Sequence, residues 1–230
     1  MSLIEHPAEG EGTLISFYSQ MASELNDGGK EVLNHIAQAL IERGWLPSVD
    51  GLVDQLSEIR KEDQTREIFN DLVNRRLITI DENGEKILTF LGSISTQTTP
   101  HHARLDSGSD LYFLGGLELL AAGPLFGLKV QATTVCAQTG EAISLTIEDD
   151  VIAEASPSGL AGFQASWDGK GALEDVYRNS GLFVNDEALD AWVSEHGDTD
   201  GLPLSGDLLL FIGMGMALET GNARYQMIGL

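Results

Sequence analysis

The sequence predicts an α+β protein: a helical, winged-helix-like N-terminal domain followed by a mixed α/β domain with short antiparallel strands. Three observations carry this expectation. Apolar residues recur at helical spacing between residues 33 and 74. An Asn-Gly pair at 83–84 divides two strand-like runs. Between residues 130 and 147, two runs rich in β-branched residues flank a Thr-Gly turn.

Taken in order, residues 1–12 are rich in Gly, Glu and Pro and read as a mobile N-terminus. Residues 14–25 read as a first helix, closed by Asn26-Asp27-Gly28-Gly29. The clearest helical stripe follows, with Leu33, Ile36, Ala37, Leu40 and Ile41 on one face and Gly44 just beyond its end. Residues 48–59 and 63–74 predict two further helices, facing inward through Leu52, Val53 and Leu56, and through Ile68, Phe69, Leu72 and Val73. Strands at 77–80 and 86–90 complete a winged-helix order, which places a first domain at 13–95 and a second at 96–230.

In the second domain, residues 111–120 are nearly all apolar and predict a buried helix whose only charge is Glu118. Strands are expected at 130–135, 143–147, 151–155, 160–166 and 181–184. Helices are expected at 171–178, at 186–196 with Asn185 as cap, and at 205–219 after a Gly/Asp-rich loop at 197–202. Met214 and Met216 read as core filling, and Gly213-Met214-Gly215 is too short to signal phosphate binding.

Composition excludes several functions. With 36 acidic and 13 basic residues, the formal charge is −23, a field that repels nucleic acid and anionic membranes. The helix at 63–74, where DNA contacts would be expected, balances Lys61, Arg66, Arg75 and Arg76 against Glu62, Asp63, Glu67 and Asp71 in and beside it. A single cysteine, Cys136, excludes an internal disulfide, and no metal-ligand cluster or cofactor motif is present. His101 and His102 are adjacent in an extended stretch and so face opposite ways, a poor arrangement for a shared metal. The N-terminus has no secretory pattern and no run is long enough to span a membrane, so a cytoplasmic location is expected.

Residues 96–160 hold a more specific pattern. Thr98-Thr99-Pro100-His101, Asp110-Leu111-Tyr112-Phe113-Leu114 with a carboxylate at 118, and Cys136-Ala137-Gln138-Thr139-Gly140 before Ile143-Ser144-Leu145-Thr146 together resemble the organomercurial (alkylmercury) lyase family. The resemblance is strongest over residues 76–160. It continues more weakly through Asp190-Ala191-Trp192 and Phe211-Ile212-Gly213-Met214-Gly215. It implies an alkylmercury-lyase-like core behind a winged-helix-like domain. It also implies a chemistry in which two thiolates hold the soft mercury ion and a carboxylate moves a proton to the leaving carbanion.

The matching positions depart from that pattern. Gly115 stands at the first catalytic cysteine and Glu118 at the aspartate, while the second cysteine falls near Tyr177. Cys136 matches a family cysteine regarded as structural. The resemblance therefore implies a degenerate active site: loss of carbon–mercury cleavage, with binding of a small ligand or a protein partner at Gly115, Tyr177 and Cys136. Glu118 is the one candidate catalytic residue, with Tyr177 and Arg178 as its candidate partners. Other readings stay open: an enzyme using Glu118 as general acid/base on another substrate, a residual organomercurial lyase, or a ligand-sensing winged-helix regulator. The sequence leaves the ligand and the oligomeric state undefined.

Overall fold

A computed structural model describes residues 24–148, 151–167 and 173–205. Its first element is helix α1, Asp27–Arg43, so Asn26 opens a helix where the sequence reading has it close one. Asn26 is extended, its side chain accepts a hydrogen bond from the Gly29 N–H, and Gly44 ends the helix at φ 70°. Gly28 is tolerated inside α1 because a Cβ there would lie 2.7 Å from Ile68 Cδ1, so two helices pack close across it. The helix expected at 14–25 falls outside the described residues except at its last two positions.

Helices α2 (Val49–Leu56, capped by Ser48) and α3 (Glu62–Asn74) follow the predicted periodicity. Leu52, Leu56, Phe69 and Leu72 are buried with Val32, Ile36 and Leu40 of α1. Strands β1 (Ile78–Ile80) and β2 (Ile87–Phe90) form the predicted antiparallel hairpin. They do not stand alone. β2 pairs with β3 (Ile94–Ser95), and β3 pairs with β5 (Asp110–Phe113), so the hairpin edges an eight-stranded sheet ordered β1-β2-β3-β5-β4-β6-β7-β8. The rest of that sheet is β4 (His101–Leu105), β6 (Val130–Val135), β7 (Ala142–Glu148) and β8 (Val151–Ser156), all antiparallel neighbours.

The expected helix over 111–120 is corrected. Residues 110–113 are strand β5, and the helical part is a 3₁₀ turn, Glu118–Ala121, running into the short helix α4, Ala122–Phe126. The reason is local: Gly115 and Gly116 break the run, and β5 finds partners on both sides in β3 and β4. Uniform apolarity cannot separate a buried strand from a buried helix.

A second sheet, β10-β9-β11, is built from β9 (Ala161–Ala165), β10 (Gly181–Phe183) and β11 (Gly201–Ser205). β11 corrects the loop expected to run to residue 202: its residues from Gly201 onward pair with β9. Between these strands lie α5 (Leu173–Arg178) and α6 (Asp186–Glu195), the latter capped by Asn185 as predicted. Trp192 of α6 packs its ring against Phe163 and Phe183, with centroids 5.0 and 5.7 Å away. The two sheets share one core, and the Ala137 N–H donates to Leu182 O across the seam. The helix expected over 205–219, with Met214 and Met216, lies outside the described residues. Among the described residues no helix is long and apolar enough to cross a membrane.

Candidate functional site

The turn between β5 and the 3₁₀ segment places Gly115, Glu118 and Tyr177 side by side. A Cβ added at Gly115 would meet Glu118 Oε2 at less than any real Cβ separation, with Tyr177 Cδ1 3.3 Å away. The space that a side chain at 115 would need is filled by the carboxylate of Glu118. The two residues exclude each other sterically: this rotamer of glutamate requires glycine at 115. The neighbouring Gly116 faces a different pair, since a Cβ there would lie 2.9 Å from Thr134 Oγ1 and 3.3 Å from His101 Nδ1.

Glu118 is 2% exposed, and among the described residues neither carboxylate oxygen has a hydrogen-bond partner. Burial raises its pKa to about 7, opposed only in part by its own backbone N–H. It therefore carries a proton over much of the neutral range. The expected partner Arg178 does not reach it; its guanidinium lies in solvent and pairs with Asp175 at 3.1 Å. Tyr177 is beside Glu118, but its hydroxyl donates to the Gly92 carbonyl. His101, half-buried on β4, shares a 2.6 Å hydrogen bond with Thr134 through Nδ1, and burial lowers its pKa. Burial thus works against charge on both titratable groups of the site, and among its described residues the Glu118 carboxyl is the group with no hydrogen-bond partner.

Gly92 is a contributor that the sequence reading missed. Leu91 and Gly92, at φ 50° and 58°, form the two-residue turn between β2 and β3, with Ser93 N–H donating to Phe90 O at 3.2 Å. A bulky residue in the left-handed region costs on the order of 1–2 kcal/mol. Burial of the Leu91 side chain and a 2.6 Å bond from its N–H to Leu77 O hold it there. Leu-Gly between two β-rich runs is the signal that could have marked this turn, although Asn or Asp is the usual first residue.

Cys136 lies apart from this cluster in its bonding. Burial pushes its thiol upward, but hydrogen bonds from the Thr139 hydroxyl and from the N–H groups of Thr139, Val184 and Gln138 more than offset this, and its pKa is lowered. The side chain is 1% exposed, and it ties the β6–β7 connection to the end of β10. Enclosure should dominate reactivity. Ellman's reagent is expected to leave the native protein unmodified and to titrate one thiol in urea; prompt reaction of the native thiol would contradict the packing. His102, facing away from His101, bonds Asp110 through Nε2 at 2.8 Å. Among the described residues, no group of three His, Cys, Asp or Glu side chains could hold a metal ion.

A sequence model of the family described as alkylmercury lyase matches residues 94–213, just over half of the chain. The chain belongs to the alkylmercury lyase family. Its similarity to the alkylmercury lyase of Streptomyces lividans is 28% identity over 174 residues, covering 74% of this chain and 77% of that one. With the alkylmercury lyase of Bacillus cereus it shares 30% identity over 120 residues, about half of each chain. The fold matches the crystal structure of the mercury-bound form of MerB2 at a TM-score of 0.74, over 91% of this chain and 99% of that one. At 19% identity that likeness speaks for the fold alone. The alkylmercury lyase core thus includes the β5–3₁₀ turn, strand β6 and Cys136, and it spans both sheets.

Proposed function

We infer that this member of the alkylmercury lyase family has lost carbon–mercury cleavage and binds a small ligand at the Glu118 site. One observation carries the reading: Gly115 leaves no thiol at the turn, and the Glu118 carboxylate fills the space where one would stand. Family chemistry, as the resemblance implies it, needs two thiolates to capture RHg⁺ and then chelate Hg(II). The sequence offers a single cysteine, and its sulfur is enclosed by the Thr139, Val184 and Gln138 hydrogen bonds. What survives is a carboxyl that holds a proton near pH 7 in an apolar enclosure. The same property would suit a general acid acting on another substrate, and Glu118 is the group that would serve.

In this reading, the described part of the first domain, residues 24–95, forms a winged-helix-like unit that supports the sheet and leaves DNA alone. Two arginines of α3 and its C-terminal end are already engaged: Arg66 with Asp50 and Glu62, and Arg75 with Asp71 and Glu24. Phosphate contacts would have to break these pairs against a chain charge of −23. The deciding experiment is single-turnover incubation with phenylmercuric acetate and excess thiol, with benzene measured by gas chromatography. Benzene at the level of the thiol-only control is expected. Stoichiometric release by the wild-type protein, absent from Glu118→Gln, would overturn the reading and restore the lyase assignment.

A further inference from the structure

Among the described residues, Glu118 is a buried acid with no compensating cation. The elements packed around it offer few candidates. On β4, His101 is held by Thr134 and its pKa is lowered by burial, while His102 and Arg104 are bonded to Asp110. On α5, Tyr177 bonds Gly92, Arg178 pairs with Asp175 in solvent, and Glu174 is exposed. Helix α4 carries no titratable group. A carboxylate in such a place is stabilised by a proton or by a cation that comes from outside the chain.

We propose that the Glu118 site takes a small organic monocation, a primary ammonium of a few heavy atoms, seated between the carboxylate and the Tyr177 ring over Gly115. Three features select this class. Both Glu118 oxygens accept and neither is engaged. Gly115 has no side chain, so a rotation of Glu118 away from it frees the space that its carboxylate fills, directly beside the Tyr177 ring. An aromatic ring beside a carboxylate suits an ammonium, and the net charge of −23 concentrates cations at the surface. The proposal rests on the ligand-binding reading above and gives it a chemical class. Binding is an exchange: the neutral carboxyl loses its proton to solvent as the ammonium arrives, and the resulting ion pair carries no net charge.

Proton competition makes this measurable. With a Glu118 pKa of about 7, the apparent affinity for an ammonium at pH 5 should be about a hundredfold weaker than at pH 8. The Glu118 side-chain carboxyl carbon is followed by NMR across this range in the presence of methylammonium chloride, its neutral counterpart acetamide, or potassium chloride at equal ionic strength. Methylammonium is expected to lower the apparent pKa of Glu118 saturably. Glu118→Gln, verified as folded by circular dichroism, is expected to bind it at least tenfold more weakly. If acetamide shifts the signal as strongly as methylammonium, the cation class is wrong and the ligand reading stands. If potassium chloride reproduces the shift, ionic screening explains it and the proposal falls. If neither organic probe perturbs Glu118, the proposal and the ligand reading fall together.

Discussion

Between pH 4 and pH 8 the wild-type protein is expected to lose about 3 kcal/mol of stability relative to a Glu118→Gln variant, from the difference between the ordinary value of 4.5 and about 7. The sign follows from proton counting. The folded state keeps the Glu118 proton to higher pH than the unfolded chain does, so the native state is disfavoured as pH rises from 4.5 to 7. Below that window both states are protonated and Glu118 costs nothing through ionisation. Above it both are ionised, and the full desolvation cost falls on the native state. Other carboxylates titrate in the same range, which is why the comparison is with the variant and not with wild type at a single pH. Urea unfolding of both proteins at several pH values measures it. Parallel stability curves would mean that Glu118 is solvated or paired in solution.

Alanine at Gly115 is expected to destabilise the fold by about 0.5–1.5 kcal/mol, the usual cost of pushing a side chain off its preferred rotamer, since the atom in the way is the movable end of Glu118. Backbone strain is not the cause, because Gly115 is not among the residues at positive φ. The cause is the Glu118 carboxylate, which stands where the new Cβ must go. That makes the effect conditional on its neighbour. Combining Gly115→Ala with Glu118→Ala should cost less than the two single changes added together, by about 1 kcal/mol or more in a double-mutant cycle. Strict additivity would show that the two side chains do not compete for the same space. The same exclusion bears on any attempt to restore a thiol: cysteine at 115 needs Glu118 to leave its present rotamer or a shorter residue in its place.

The neighbourhood of Gly115, Glu118 and Tyr177 is partly legible before the fold: the resemblance pairs these positions, and the structure brings them into one cluster. Their local setting differs from the sequence expectation. The two glycines read as gaps on a helix face, whereas they lie in a bend between β5 and a 3₁₀ turn. Arg178 was expected beside Glu118 because it adjoins Tyr177 in sequence, but successive residues on a helix face different ways and Arg178 ends in solvent. Gly92 and His101 entered the cluster only with the fold, because their contacts cross between strands.

Local chemistry determined what the sequence could establish by itself. Helical periodicity placed α1 to α3, Asn83-Gly84 placed the β1–β2 turn, and Asn185 opened α6, since each signal acts within a few residues. The single cysteine and the glycine at 115 likewise excluded the thiolate pair without any coordinates. Tertiary structure decided what depends on distant partners. Gly28 and Gly29, which read as a helix stop, lie inside α1, where the missing side chain at 28 lets Ile68 of α3 approach closely. Residues 110–113 are a strand because β3 and β4 lie on either side. Glu118 holds its proton to a higher pH than a free carboxyl because it is buried and, among the described residues, meets no hydrogen-bond partner, and solvation is a property of the folded surroundings, not of the residue.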